Sequence, residues 1–277
     1  MTAGTAVVVR VIRRARPTAI SLAGMSVHLA GSAEHDGRSA EYEGFIGEVL
    51  ARARVAGRDR PRVAIVTVGP DAAGHAARLG TRLGELAGDL ALSGADASTA
   101  GSLQLETRVS AVGEQEPLPA APFAEVDGIV VGGGRTAAYR EALEPHFGEL
   151  RRQVADGVPY LGCSAGAMVA AERAILGGWR VGGIAVTPES ASDDLDELEL
   201  APGIGLVDVA IDVHAAQWGT VSRLIAAVEA GVVEGGLAID ERTALIVGDG
   251  GLEVAGDGSV WRVLPGESGV VVSTMGA

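Results

Sequence analysis

The sequence predicts an α/β protein built as a three-layer sandwich, in which helices cover both faces of a mostly parallel sheet. Short apolar runs typical of buried strands alternate along the chain with amphipathic segments of helical length. This alternation favours parallel pairing, because parallel neighbours need a long crossover connection. The predicted elements are strands at 26–30, 62–68, 127–131 and 159–163, and helices at 40–55, 71–86, 137–155 and from 165 onward.

The remaining stretches indicate how the chain is organised. A further strand is predicted at 205–213, while 90–102 and 113–122 have the composition of loops. After Gly248, Gly-Gly and Asp-Gly pairs separate short Val-rich runs, which predicts terminal β-hairpins. The sequence shows no internal repeat and no long linker. We therefore expect one domain over 26–277, preceded by an N-terminal extension or added strand at 1–25.

The basic run that includes Arg10 and Arg16, followed by an apolar stretch at 18–33, is similar to the basic and apolar regions of a signal peptide. That stretch also contains His28 and two glycines, so it is equally typical of a first strand that enters a loop. We expect a cytoplasmic protein, with export as the alternative. No apolar run approaches the ~18 residues that a membrane span needs, so we expect no membrane insertion.

The composition excludes several function classes. The 277 residues are 47% hydrophobic and 21% charged, and the net charge of −14 repels nucleic-acid backbones. Cys163 is the single cysteine, which excludes an internal disulfide and a multi-thiolate metal site. Because no His or Cys cluster has ligand spacing, we expect neither a metal nor a cofactor. The expected partners are a small peptide or amide substrate and a second copy of the chain in a homodimer.

The pentapeptide Gly162-Cys163-Ser164-Ala165-Gly166 has the G-x-S-x-G pattern of a nucleophile elbow. In such an elbow the serine occupies a strained turn between strand and helix, where flanking side chains would collide with neighbouring backbone. Cys163 is an alternative nucleophile, but its offset by one position points its side chain into the core. The pattern therefore predicts that Ser164 is exposed at the turn.

A serine nucleophile needs a base, and histidine is the usual one. Of the five histidines, His214 ends the predicted strand at 205–213, and ligands bind at the strand ends of parallel sheets. The other four lie in an early strand, a polar loop or helical segments, where surface or packing roles are more common: His28, His35, His75 and His146.

Four blocks resemble the serine peptidase family that includes cyanophycinase and the aspartyl dipeptidase peptidase E. They are VGGGRT at 131–136, LGCSAGAM at 161–168, GIGLVDVAIDVH at 203–214 and GLAIDERTAL at 236–245, with SRL at 222–224. The resemblance implies the flavodoxin-like fold of class I glutamine amidotransferases. It also implies Ser164 as nucleophile, His214 as base, and an oxyanion hole formed by the N–H of Ala165 and by Gly133 or Gly134.

The chain also departs from that family. Arg135 and Thr136 stand where relatives commonly have Asn or Gln, and the glutamate that follows a Gly-Gly pair in cyanophycinase-like sequences is absent after Gly178. We expect the acid to come instead from 183–199, and we choose Glu189 because Thr187-Pro188 would rigidify its approach. Asp240 and Glu241 are expected to hold structure near the site. The expected substrate-binding residues are Arg135, Thr136, Trp179, Arg180 and Gln217.

The predicted function is that of a serine peptidase or amidohydrolase, which cleaves a small peptide or isopeptide through an acyl-enzyme on Ser164. The alternative is a catalytically silent relative that binds an acidic or peptide-like ligand, because both the usual acid and the usual Asn or Gln after the glycines are missing. A glutaminase that uses Cys163 is less favoured. An α/β-hydrolase esterase is less favoured too, since its histidine normally lies farther from the serine than the 50 positions (214 − 164) found here.

Overall fold

Two sheets organise the computed structural model, which describes residues 26–32, 40–94, 104–249 and 251–277. The strands are β1 (Ser26–Ala30), β2 (Arg62–Val68), β3 (Glu106–Val112), β4 (Gly128–Val131), β5 (Tyr160–Cys163), β6 (Arg173–Gly177), β7 (Arg180–Val181), β8 (Ile184–Ala185), β9 (Glu199–Pro202), β10 (Ala210–Val213), β11 (Gly236–Ile239), β12 (Thr243–Gly248), β13 (Gly251–Gly256), β14 (Ser259–Gly266) and β15 (Gly269–Gly276). The helices are α1 (Ala40–Val55), α2 (Ala72–Gly94), α3 (Thr136–Leu143), α4 (Phe147–Ala155), α5 (Ala165–Val169) and α6 (Thr220–Glu229).

The large sheet has seven strands in the order β13-β12-β1-β5-β4-β2-β3. The five strands from β1 to β3 in this order pair in parallel, and β12 and β13 add two antiparallel strands at the other edge. The predicted mostly parallel sheet is therefore confirmed. Its first strand pairs directly with β5, so that Ala30 lies beside Cys163 at the carboxyl ends of both strands.

Helices cover both faces of this sheet, because alternate residues of its central strands enter different hydrophobic clusters. Val63 and Ile65 pack in the cluster that contains the apolar faces of α1 and α2. Ala64 and Val66 point the other way, into a larger cluster with residues of α3, α4, α5 and α6. This period of two is what a strand buried on both faces requires. The three-layer architecture is confirmed.

The second sheet, which the sequence did not predict, has the order β10-β11-β14-β15. β10 and β11 pair in parallel, and the other pairs are antiparallel. The strand predicted at 205–213 is shorter and belongs to this sheet. Its first residues turn away at Gly205, which has a φ of +73°, and Leu206 donates a backbone hydrogen bond to Ala170 just after α5. The predicted terminal hairpins are confirmed as β12–β13 and β14–β15.

The structure differs from the predicted elements in three places. α2 continues to Gly94, so the first part of the predicted loop at 90–102 is helical, and 95–102 lies outside the described residues. The predicted helix at 137–155 is interrupted by a 3₁₀ turn at Glu144–His146, where Pro145 has no N–H to donate to the preceding turn. β3 was missed because its charged and polar residues do not form an apolar run; it lies at the edge of the sheet.

Close backbone packing explains the two glycines that flank Ser164. A Cβ at Gly162 would lie 2.4 Å from the carbonyl oxygen of Gly166, and a Cβ at Gly166 would lie 2.2 Å from that of Val131. Neither oxygen belongs to a flexible side chain, so any substitution must displace the backbone. The turn brings the start of α5 directly over the ends of β4 and β5, as the elbow interpretation requires.

Gly162→Ala should destabilise the fold by about 2 kcal/mol or more, because the added methyl group overlaps fixed backbone. The matched control is Gly47→Ala in α1, where a Cβ meets nothing within 4 Å. That control should stabilise the protein by about 0.5–1 kcal/mol through helix propensity. Urea unfolding measures both changes. Equal free energies of unfolding for Gly162→Ala and the native chain would show that this turn is not sterically constrained.

Candidate active site

Ser164 lies between β5 and α5 with a φ of 51° and a ψ of −110°, a conformation that non-glycine residues rarely adopt. Its backbone N–H donates to the carbonyl of Ala30 at 2.9 Å, and its carbonyl accepts from Ala167 and Met168 at 2.8 and 3.0 Å. These bonds hold the strained turn from both sides. The side chain of Ser164 consequently projects from the large sheet toward the second sheet.

His214 reaches Ser164 from the second sheet. It follows β10 directly, and its Nε2 lies 2.9 Å from the Oγ of Ser164. Its backbone also has a positive φ, of 55°, so the chain turns sharply where the strand ends. The imidazole is buried, with 7% of the residue exposed. The predicted pairing of Ser164 with His214 is therefore present in the structure.

Glu241 supplies the carboxylate that contacts His214. Its Oε1 lies 2.9 Å from Nδ1 of the imidazole, and its own backbone N–H donates to Oε1 of Gln217 at 2.9 Å. His214 follows β10, and Glu241 lies two residues beyond the end of β11, the parallel neighbour of β10. Two adjacent strand ends thus place the base and the acid side by side.

The prediction that Glu189 contacts His214 is wrong. Glu189 is exposed at the start of a 3₁₀ turn, and it lines a separate cavity together with Trp179, Asp194 and Asp196. Its segment is fixed by Arg223, which donates to the carbonyl of Ala191 at 2.7 Å. That bond turns Ala191 toward Ser164 and leaves Glu189 on the outer side of the segment.

Asp240 and Glu241 were both expected to hold structure, and only Asp240 does so. Asp240 accepts hydrogen bonds from the N–H groups of Ala216 and Ser259 and from the indole of Trp261, at 2.9 to 3.0 Å. These bonds tie the loop after His214 to β14. The sequence carried a signal for Glu241 that was not used: a carboxylate just after an apolar run, in a block that matches the family.

Burial lowers the pKa of His214 below its ordinary value of 6.5. The hydrogen bond and charge of Glu241, and the charges of Asp212 and Asp193, oppose this shift without cancelling it. The imidazole is therefore neutral at pH 7, which is the state that a general base needs. Burial also raises the pKa of Asp193, which lies in the same cavity.

Ser164 and His214 open into a cavity of about 280 Å³. Residues from four segments of the chain form its wall: Gly134, Arg135, Thr136, Ser164, Met168, Ala191, Asp193, Val213, His214, Trp218, Thr220 and Arg223. Gly133 lies directly behind the serine, since a Cβ at this glycine would stand 3.0 Å from the Cβ of Ser164. The structure thus brings the triple-glycine loop and the elbow together, as the sequence predicted.

Of the five predicted substrate-binding residues, two line the cavity and three lie outside it. Arg135 lines the cavity and pairs with Glu114 at 2.7 Å. Thr136 also lines it, but both its backbone N–H and its hydroxyl donate to Asp193. Trp179 and Arg180 stack on each other outside this cavity, with the guanidinium carbon 3.9 Å from the indole centroid. Gln217 supports Glu241 and is not part of the cavity wall.

A buried ion pair connects the rim of the cavity to the strand that carries His214. Arg223 donates to both carboxylate oxygens of Asp212, at 2.7 and 2.9 Å, and also to the carbonyls of Gly178 and Ala191. Asp212 is fully buried, and the Arg223 side chain is 4% exposed. The guanidinium therefore holds the ends of the 178–191 segment against β10.

Cys163 is a core residue, as its position one before the turn predicted. It is 2% exposed and packs with α1 and α2 on the face of the sheet away from the cavity. Its Sγ donates to the hydroxyl of Tyr42 at 3.8 Å. Within the described ranges, no group of three or more His, Cys, Asp or Glu side chains could hold a metal ion. None of the helices described here is long and apolar enough to cross a membrane.

Comparison with known proteins identifies the family of the chain. Peptidase family S51 matches residues 103–255, which is more than half of the chain and includes Ser164, His214 and Glu241. The chain belongs to peptidase family S51. Among S51-like relatives, the cyanophycinase of Synechococcus elongatus is 36% identical over 157 residues, which cover 55% of this chain and 46% of that protein.

Two further proteins are similar to the chain, one in sequence and one in fold. The cyanophycinase of Trichormus variabilis is 38% identical over 121 residues, which cover 43% of this chain and 38% of that protein. The chain thus spans less than half the length of these two curated relatives. A crystal structure of a peptidase from an acI-B1 Actinobacterium matches with a TM-score of 0.57 and 19% identity, over 91% of this chain and 94% of that one. That likeness shows a shared fold.

His214 should make stability depend on pH in a defined direction. Because its pKa is lower in the folded protein, the unfolded chain binds more protons as the pH falls through 6.5, and stability is lost. Relative to His214→Gln, the native chain should be less stable at about pH 5 than at about pH 8. Urea unfolding of both proteins at both pH values checks this. A difference that stays constant or changes in the opposite direction would contradict the lowered pKa.

Proposed function

We propose that this protein is a serine peptidase or amidohydrolase that cleaves a small peptide or isopeptide through an acyl-enzyme on Ser164. The chain of contacts from Ser164 through His214 to Glu241, with both distances at 2.9 Å, carries the proposal. This is the order of nucleophile, base and orienting acid found in serine hydrolases of unrelated folds. Membership of peptidase family S51 supports the same chemistry.

In the proposed reaction, the Oγ of Ser164 attacks the carbonyl carbon of the scissile amide, and Nε2 of His214 takes the hydroxyl proton. Glu241 accepts the Nδ1–H bond, which selects the tautomer with a free Nε2 and stabilises the imidazolium. The tetrahedral intermediate collapses when the imidazolium gives its proton to the leaving nitrogen, which leaves as an amine. Water then attacks the acyl-enzyme while His214 takes one of its protons, and the imidazolium returns this proton to Oγ of Ser164 as the carboxylic acid leaves.

The oxyanion of the intermediate needs donors close to Oγ of Ser164. Ala165 follows the serine directly, and Gly133 lies against the side chain, with an added Cβ 3.6 Å from Oγ. We propose the backbone N–H of Ala165, together with that of Gly133 or Gly134, as these donors. The absence of a side chain at Gly133 leaves space for the oxyanion between the loop and the serine.

The size and charge of the cavity support a small, polar substrate. Its volume of about 280 Å³ is at the lower end of small-molecule pockets, which range over about 300–1,000 Å³. The wall includes the carboxylate of Asp193 and the guanidinium of Arg135, so a dipeptide or isopeptide with both kinds of charge would find partners. The two relatives described above are cyanophycinases, which supports an isopeptide as the first substrate to test.

The alternative of a catalytically silent protein has lost its main support. It depended on the absence of an acid after Gly178 and on the loss of the family's Asn or Gln at 135–136, and the contact of Glu241 with His214 at 2.9 Å argues against the first of these grounds. Release of amine and acid from α- and β-aspartyl dipeptides, followed by mass spectrometry, tests the proposed reaction directly. Tight binding of these dipeptides without any turnover would favour the silent protein.

Ser164 should react covalently with a fluorophosphonate, because His214 activates its hydroxyl. Intact-mass and peptide mass spectrometry should find one adduct per chain, on Ser164. Ser164→Ala should abolish the adduct, whereas Cys163→Ala should label at the native rate because its thiol is in the core. Loss of labelling in folded Cys163→Ala, with Ser164 intact, would replace serine chemistry with a thiol mechanism.

Glu241→Gln should reduce the rate of fluorophosphonate labelling by a factor on the order of 10³–10⁴, as loss of the orienting acid does in other triads. Glu189→Gln is the matched control, because it makes the same chemical change in the neighbouring exposed segment. Its labelling rate should stay within about twofold of the native rate. The reverse order of effects would restore Glu189 to the mechanism and remove Glu241 from it.

A further inference from the structure

The indole of Trp218 lies flat against the imidazole of His214. The ring centroids are 3.9 Å apart and the planes differ by 9°. Trp218 is 45% exposed and forms part of the cavity wall, whereas His214 is 7% exposed. The indole therefore covers one face of the base and separates that face from solvent.

We propose that Trp218 is a positioning residue for His214, which fixes the plane of the imidazole and stabilises its protonated form during the reaction. This inference rests on the proposed function, since it assigns Trp218 a part in the same proton transfers. Trp218 acts through His214 and needs no contact with the scissile bond.

The geometry shows why a third contact is needed. Ser164 and Glu241 contact the two nitrogens at the edge of the imidazole, each at 2.9 Å. Two such contacts still allow the ring to rock about the line that joins its nitrogen partners. A parallel indole blocks this rocking, because any tilt of the imidazole would collide with the stacked ring. The three contacts together define the position and the plane of the base.

A tight turn delivers Trp218 to this place. Its backbone N–H donates to the carbonyl of His214 at 2.8 Å, which folds the chain back over the imidazole within four residues. Gly219 then adopts a left-handed conformation with a φ of 72° and caps the N-terminus of α6, which begins at Thr220. Gln217, which precedes Trp218, accepts a hydrogen bond from the backbone N–H of Glu241. The same turn therefore supports both the base and the acid.

The indole face also favours the charged state of the base. The face of an aromatic ring carries negative potential, and tryptophan is the strongest of the aromatic partners for a cation. When His214 accepts the serine proton, its new positive charge lies directly against this face. The stabilisation is present only while the imidazolium exists, so it lowers the energy of the charged intermediate and leaves the resting enzyme unchanged.

Other charges around His214 act independently of Trp218. Glu241 is bonded to Nδ1, Asp212 and Asp193 act through their charges, and Arg223 and Arg135 lie in the cavity wall. Arg223 is paired with Asp212, and Arg135 is paired with Glu114. Substitutions of Trp218 leave all these groups in place. Trp218→Leu keeps an apolar but smaller side chain and removes the π system, and Trp218→Phe keeps a smaller aromatic face.

The test is an NMR titration of the His214 ring in the native protein, Trp218→Phe and Trp218→Leu, with the resonance assigned by its loss in His214→Asn. The pKa of His214 should fall by about 0.5 in Trp218→Leu, where the apolar cover remains and the π face is lost. Trp218→Phe should lie between the two. The fluorophosphonate rate should fall about 5- to 30-fold in Trp218→Leu and recover in part in Trp218→Phe.

An unchanged or raised pKa of His214 in folded Trp218→Leu would overturn the proposal, because a residue that only packs or shields would give that result. A native labelling rate in Trp218→Leu would overturn it as well. Failure of the proposed function has a different signature: the native protein itself would not react with the fluorophosphonate. The NMR titration needs no activity, so it tests the effect of the indole on His214 in that case too.

Discussion

At the turn between β5 and α5, backbone segments approach so closely that no side chain fits at Gly162 or Gly166. Ser164 is held between them in a left-handed conformation, bonded through its N–H to Ala30 at the end of β1. The direction of its side chain is therefore set by three neighbouring strands of the large sheet. All other groups of the site must lie at defined distances from this fixed hydroxyl.

The base and the acid come from a different sheet. His214 and Glu241 follow β10 and β11, whereas Ser164 follows β5. One continuous hydrophobic cluster contains Val131 of the large sheet together with Ile211 and Leu237 of the second sheet. The distance of 2.9 Å between Ser164 and His214 thus depends on the packing of two sheets against each other. A large-to-small substitution in this cluster would therefore move His214 relative to Ser164 even though no residue of the site is replaced.

Local patterns in the sequence were sufficient for the central strands of the large sheet, the elbow, the core position of Cys163 and the pairing of Ser164 with His214. They were not sufficient for the second sheet, because its order depends on pairing between strands far apart in the chain. Glu241 was misassigned for the same reason. Its contact with His214 arises from the parallel register of β10 and β11, in which Val213 lies opposite Ile239.

The contacts of Trp218 and Arg223 could not be predicted from the sequence either. The stack of Trp218 on His214 depends on a turn whose dihedral angles are not readable from A-A-Q-W-G-T. Arg223 stood in a block that resembled the family, but its partners lie on β10 and at both ends of the 178–191 segment. A Pro within a helical pattern, by contrast, was a local signal: Pro145 marks the interruption between α3 and α4.

The pairing of Arg223 with Asp212 has a consequence for how molecules enter the cavity. Moving the 178–191 segment outward would strip the guanidinium of its two carbonyl acceptors, and each hydrogen bond to a charged group contributes about 1.5–3 kcal/mol. These bonds hold the rim at this point in place before any molecule arrives. We therefore expect the entrance to keep its width when a molecule enters, which would favour short peptide ends over folded or long chains.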